Sequence, residues 1–163
     1  MKKLILQYNI LVISTVFLLF AIYFTSSSIT YSIDFTEESN LIERANDYLS
    51  EGEIEYALQI YDEILKSNQT NISALNYKGL AFASMGNYEE AIKIYNKVLT
   101  IAPNDLLALN NKGVALYNLG NYEEAIKMYN KILFIDPNDV DAKYNKSIAL
   151  LNLNKSQEAN ILY

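Results

Sequence analysis

The chain has no cysteine and no histidine in 163 residues, and these two absences remove most familiar catalytic chemistry. Without either side chain there is no zinc site of ordinary type, no nucleophile paired with imidazole and no imidazole base. Without cysteine there is no disulfide and no lipid attached through an N-terminal thiol, so the fold holds itself together by packing alone. Arginine occurs once, at Arg44, and the formal net charge is -6, or -8 once Lys2 and Lys3 are set aside. An acidic chain of that kind is a poor match for phosphate backbones, which argues against a nucleic-acid partner. The acidic pairs Glu89-Glu90 and Glu123-Glu124 fall where a helix should begin and complement its dipole. Asp136, Asp139 and Asp141 lack the glycine and terminal glutamate of a calcium loop, and no Gly-Lys-Ser/Thr follows any glycine. The expectation is a chain with no catalytic residues, no metal and no cofactor.

Proline occurs twice and glycine five times, and these few breakers are regularly spaced. Pro103 and Pro137, Gly79 and Gly113, and Gly86 and Gly120 all stand 34 positions apart. The stretches Ile72 to Asp105 and Leu106 to Asp139 align without a gap and agree at 22 of 34 positions. An internal repeat of this length points to stacked supersecondary units. Within each unit Gly86 or Gly120 ends a first helix by supplying a left-handed residue. Asn87 or Asn121 then reads as the N-cap of a second helix, with Glu90 or Glu124 three residues on as a capping box. Ala91 with Tyr95, and Ala125 with Tyr129, mark the buried stripe of that second helix, and proline stops it. Gly79 and Gly113 read as places where two helix backbones approach closely.

The order Leu75, Gly79, Phe82, Ala91, Tyr95, Pro103, repeated as Leu109, Gly113, Leu116, Ala125, Tyr129, Pro137, resembles the tetratricopeptide repeat. A weaker copy over 38–71 keeps Ala45, Tyr48, Gly52, Ala57 and Tyr61 but has Gln69 in place of proline. A partial copy over 140–163 keeps Ser147, Leu150, Ala159 and Tyr163, with Asn154 where the turn glycine stands elsewhere. The resemblance implies an all-α fold, an α-solenoid of antiparallel helix hairpins wound as a right-handed superhelix, with copies 38–71, 72–105, 106–139 and part of a fourth. Such hairpins cannot bury their apolar faces singly, so neighbouring copies must stack.

The resemblance also implies a concave face lined by the first helix of each copy, where a protein or peptide partner would lie. Mapped here, the inward positions carry Asn76 and Tyr77, then Asn110, Asn111, Tyr117 and Asn118, then Tyr144, Asn145 and Asn152, as the partner-binding candidates. The cations that would grip a C-terminal carboxylate are missing, with Ile42, Leu107 and Asp141 among the residues in their places. Asparagine recurs at the repeat spacing, Asn76 with Asn110, Asn111 with Asn145 and Asn118 with Asn152, and an amide can pair with a peptide backbone whatever its side chains. The plain alternative is that an asparagine-rich chain places this residue on any polar surface. Lys78, Lys112 and Lys146 form a further series, readable as a stripe for an acidic partner or as stems covering apolar surface. Four glycosylation sequons, at Asn68, Asn71, Asn145 and Asn154, act only where the host has the machinery.

Ahead of the repeats, Leu4 to Phe24 carries no charge, and its 21 residues at about 1.5 Å each would span the hydrocarbon layer. Two readings stand for residues 1–28: a membrane anchor, favoured by length and by Tyr23 and Phe24, or a signal peptide cleaved within the serine cluster Ser26 to Ser28. Lysines before the span and no cation after it until Arg44 place the repeats outside the cytoplasm, either tethered through 29–37 or secreted. The incomplete last copy raises self-association as a second function.

Overall fold

The computed structural model describes residues 37–160, and every regular element among them is a helix. The expected anchor or signal peptide over 1–28 lies outside the described residues, as do nearly all of the tether and Tyr163. Among the described residues no helix is long and apolar enough to cross a membrane. The chain divides between Asn40 and Leu41 into two units. Of the first, only the opening of a helix at 37–40 is described. The second holds the repeats.

Helix α1 (37–51) and α2 (Ile54–Ser67) make the first hairpin, α3 (Ile72–Ser84) and α4 (Tyr88–Ile101) the second, and α5 (Leu106–Asn118) and α6 (Tyr122–Ile135) the third. Helix α7 (Val140–Asn152) and the short α8 (Ser156–Asn160) make the fourth. The second helices are amphipathic: α6 buries Ala125, Met128, Tyr129 and Ile132, one stripe at the helical period. The first helices carry a wider buried surface, Ala108, Leu109, Gly113, Ala115 and Leu116 in α5, because they are packed on two sides. Their partners are the second helix of their own copy and that of the copy before, as α5 meets both α4 and α6.

Tyr61, Tyr95 and Tyr129 are the largest fully buried side chains, and each occupies the same place in its copy. A Cβ built on Gly79 would stand 2.5 Å from Cε1 of Tyr95, and one on Gly113 would stand 2.6 Å from Cε1 of Tyr129. The glycines therefore seat an aromatic ring, and this corrects the expectation that two backbones meet there. In the first copy the place is taken by fully buried Ala45, in one core cluster with Tyr61. The Tyr61 hydroxyl donates to Asn46 Oδ1 at 2.6 Å.

The turn within each hairpin also departs from the sequence reading. Gly86 has φ +78° and donates to the Ala83 carbonyl, and the Asn87 N–H donates to the Phe82 carbonyl at 2.9 Å. This is a Schellman closure, and it consumes the N–H that a capping-box glutamate would need. Glu90 turns instead to Lys93, at 2.7 Å. Asn87 still caps α4 by accepting from the Glu90 N–H, whereas Asn121 at the equivalent place makes no side-chain cap bond. Asn154, with φ +58°, performs the glycine's role in the last copy. Between copies, Asn71, Asp105 and Asp139 cap α3, α5 and α7 through the N–H groups of Ala74, Ala108 and Ala142. Gln69 needs no proline beside it, since Asn68 closes that turn by accepting from the Thr70 N–H.

Stacking curves the array. The first helices of neighbouring copies touch, α3 with α5 and α5 with α7, while no two of the second helices α2, α4 and α6 touch each other. The first helices therefore lie on the inner, shorter side.

Gly113→Ala should lower stability in urea by about 1 kcal/mol, since overpacking of about 2 kcal/mol exceeds the roughly 1 kcal/mol gained by replacing a helical glycine. An unchanged midpoint would show that the Tyr129 ring moves aside freely. Burial, reinforced by Tyr77 and Tyr117 respectively, pushes the phenols of Tyr61 and Tyr129 from 10.0 up to about 12. A raised phenol favours the protonated folded state, so its contribution is complete below pH 10 and is lost as the pH climbs from 10 to about 12. Thermal melts should be flat in pH up to the lower bound and fall across that window; a fall beginning near neutrality would exclude these tyrosines as its cause.

Candidate partner-binding surface

The inner face is built by the sides of α3, α5 and α7 turned away from the second helices, and the nine candidate residues fall there in three different states. Asn76 is only 4% exposed. Its Nδ2 donates at 3.1 Å to Asp105 Oδ1, the same oxygen that caps α5, and its own Oδ1 is buried without a partner. Asn76 is thus a brace between α3 and the N-cap of α5, beneath the surface. Tyr77, half-buried, stacks on Tyr61 with ring centroids 6.4 Å apart.

In the next copy the amides engage each other. Asn145 Nδ2 donates to Asn110 Oδ1 at 3.2 Å, and Asn110 Nδ2 reaches Asn111 Oδ1 at 3.5 Å. Asn152 Nδ2 donates to the Tyr117 hydroxyl at 3.0 Å and to the Ile148 carbonyl at 2.9 Å. Asn118 donates to the Val114 carbonyl at 2.8 Å. The bonds between copies join residues 35 apart, Asn110 to Asn145 and Tyr117 to Asn152, whereas the sequence paired residues 34 apart. Side-by-side helices explain the offset: a residue on one flank faces the opposite flank of its neighbour, one position along. The amides of Asn110 and Asn145 therefore already serve as ties between copies, and those of Asn118 and Asn152 lie exposed.

Two polar groups near this face are perturbed by burial. The Tyr95 hydroxyl is buried with no hydrogen bond of ordinary geometry. Burial raises its pKa far above the usual phenol value, and the Asn111 amide partly opposes that rise. In the lysine series, Lys78 pairs with Asp62 on α2 and lies 6.0 Å above the Phe82 ring, as a stem covering apolar surface would. Half-buried Lys112 is lowered by burial first and by Lys131 second, with Glu124 acting in the other direction. Among the described residues no three acidic side chains converge to hold a metal ion.

In the third and fourth copies the inner face offers four large apolar residues to solvent. Leu107 (45% exposed) and Val114 (38%) are uncovered on α5, and Tyr144 (56%) and Leu151 (51%) on the flank of α7 equivalent to the one by which α5 meets α7. Of these four, the partner-binding candidates read from the sequence included only Tyr144. The signal was present in the seven-residue spacing from Leu107 to Val114 and from Tyr144 to Leu151; what the spacing could not reveal is which neighbours stay uncovered.

Hairpins stacked with their first helices inward define a class of repeat solenoids whose inner surface is a continuous open groove. Two models of the tetratricopeptide repeat match the sequence, over residues 42–106 and 82–151, and the chain belongs to the tetratricopeptide repeat family. No curated protein matches it. A tetratricopeptide repeat protein from Parabacteroides merdae ATCC 43184 is similar in structure, with a TM-score of 0.71 and 24% identity over 77% of this chain and 49% of that one. MamA from Desulfovibrio magneticus RS-1, from residue 41 to its end, gives a TM-score of 0.70 at 19% identity, covering 77% of this chain and 71% of its own. The first tetratricopeptide domain of Spaghetti (RPAP3), bound to the HSP90 peptide SRMEEVD, gives 0.68 at 21% identity, covering 72% and 93%. At these identities the likeness is one of fold.

If Asn145 is a tie between copies, Asn145→Ala should cost about 1 kcal/mol in urea by leaving Asn110 Oδ1 without its donor, while exposed Asn118→Ala should change stability by less than about 0.5 kcal/mol. Equal, negligible effects would return Asn145 to the pool of amides free for a ligand.

Proposed function

We propose that this protein is a non-catalytic scaffold that holds a segment of a partner protein on the inner face of its third and fourth copies, outside the cytoplasm and tethered by residues 4–24. The observation that carries the reading is the set of apolar residues exposed on the first helices of these copies, Leu107 and Val114 on α5 and Tyr144 and Leu151 on α7, together with the exposed amides of Asn118 and Asn152. Proteins of this repeat family generally act as interaction scaffolds, and the Spaghetti domain with its bound peptide supports the same use here. The site residues are Tyr117, Asn118, Tyr144 and Asn152 at the surface, with Asn76, Tyr77, Asn110, Asn111 and Asn145 shaping the wall behind them. The uncharged run from Leu4 to Phe24, preceded by Lys2 and Lys3, supports the tether and the orientation. Secretion after cleavage is the other outcome of the same segment.

A second reading, self-assembly through the last copy, draws on one observation. Val140, Tyr144 and Leu151 are exposed on α7, while Asn110 and Tyr117, equivalent to the last two, receive hydrogen bonds from α7. Sedimentation of the purified protein separates the two, because a strict monomer eliminates self-assembly.

A cysteine-free chain makes the main test clean. In cells that produce it, Asn118→Cys should react with a membrane-impermeant maleimide from outside and should cross-link a partner through a thiol-reactive linker, whereas Lys97→Cys on the outer side should not cross-link it. Labelling only after the cells are broken would refute the location, and equal cross-linking from both sites would refute the groove.

A further inference from the structure

We propose that the edge of the array formed by the loops between copies rests on a lipid surface; the inference rests on the tether reading and goes beyond it by giving the repeats a second hold on the membrane. Every first helix begins at this edge, because each hairpin returns the chain to it. The two most exposed large apolar side chains of the described residues stand there, Phe134 (88%) in the last turn of α6 and Val140 (72%) at the start of α7. Exposed Ile135 lies between them in the chain, and one copy earlier Ile101 and Leu106 are exposed at the places equivalent to Ile135 and Val140. The opposite edge carries the turns within hairpins. Their exposed large apolar residue is Met85, and Tyr56 and Leu151 at the helix ends beside them are less exposed than either Phe134 or Val140. Apolar side chains concentrated on one edge mark a surface meant for an apolar medium or a partner.

The way the chain enters the repeats selects lipid as the occupant. Helix α1 starts at residue 37 on this same edge, and the 12 residues 25–36 separate it from the uncharged run that ends at Phe24. Twelve residues reach at most about 40 Å, so a bilayer holding that run lies within reach of the edge. The turn edge is farther by the length of α1, about 22 Å. In the first copy the loop at this edge is polar, Asn68-Gln69-Thr70-Asn71, whereas the apolar loops belong to the second and third copies. Tether and loops are therefore separate points of attachment, and the array lies along the surface with its turns outward. The tether keeps the loops at high local concentration, so a modest buried apolar area suffices. Charge narrows the kind of lipid. The loops carry Asp105, Asp136 and Asp139 and no lysine or arginine, so anionic headgroups are repelled while zwitterionic ones offer an ammonium to those carboxylates.

Single cysteines test this in the full chain held in phosphatidylcholine nanodiscs. One polarity-sensitive dye is placed on Ile101→Cys, Val140→Cys or Met85→Cys, and its emission is quenched from the lipid side by brominated acyl chains and from the water side by iodide. The dyes at positions 101 and 140 should be quenched by the lipid at least about twofold more than the dye at 85, and by iodide less. Joint Phe134→Asp and Val140→Asp substitution, at exposed side chains and with helicity unchanged, should abolish the lipid quenching at position 101. Replacing part of the phosphatidylcholine by phosphatidylglycerol should weaken it. Equal lipid quenching at both edges overturns the proposal, as does indifference to the aspartates or stronger quenching with phosphatidylglycerol. Dyes at 101 and 140 shielded from iodide but untouched by the lipid quencher would assign the edge to a second copy and overturn it likewise. A chain that does not co-elute with the discs removes the tether and this proposal together, whereas one that co-elutes and shows no difference between the edges removes the proposal alone.

Discussion

The architecture depends on one contact repeated along the array: a tyrosine from the second helix of each hairpin laid against a residue on the first that has almost no side chain. Tyr95 on Gly79 and Tyr129 on Gly113 leave no room for a methyl group, and the same tyrosine accompanies Ala45 in the first copy. A ring of this size buries a large apolar area and sets the distance between the two helices. That distance in turn fixes the wall against which the next copy stacks. The first helices then come close enough to touch each other across copies while the second helices do not, and the curvature that opens the inner face follows.

Polar groups follow the same division of labour. The loops between copies close with Asn71, Asp105 and Asp139 as caps, and Asp105 also receives Asn76 from α3. One carboxylate oxygen thereby ends a loop, starts a helix and ties two hairpins. Farther along, Asn110 with Asn145 and Tyr117 with Asn152 perform the tie without a carboxylate. Hydrogen bonds of this kind contribute about 1 kcal/mol each, small beside the apolar burial, but an unpaired amide on a buried flank would cost more than that. Their effect is to hold adjacent copies at one offset.

Function is a consequence of what this packing leaves uncovered. The first helices α3, α5 and α7 are each flanked by two second helices, so only a narrow side of each reaches solvent. On α5 that side carries Leu107 and Val114, and on α7 Tyr144 and Leu151 are uncovered as well, on the flank where Asn110 and Tyr117 of α5 are met by α7. Apolar residues exposed together on a helical array are a place for another macromolecule. The amides around them add orientation more than affinity, because several are already satisfied from within.

The repeat, the hairpin in each copy, the turn residues and the buried tyrosine were all legible in the sequence, because each depends on spacing along one chain: 3.6 residues per turn within a helix and 34 between copies. The prolines and positive-φ positions are local in the same sense, down to Asn154 standing in for glycine. Tertiary structure alone decided matters that depend on two chain segments meeting. Glu90 could not complete a capping box because the Asn87 N–H had been taken by the turn before it. The glycines proved to seat a ring because the atom opposite them comes from a helix sixteen residues on. Asparagines at equal positions do not face one another, since neighbouring helices meet flank to flank, and so Asn76 went inward while Asn118 stayed at the surface. Spacing names which residues share a side of a helix; only the packed array determines which of those sides a neighbour covers.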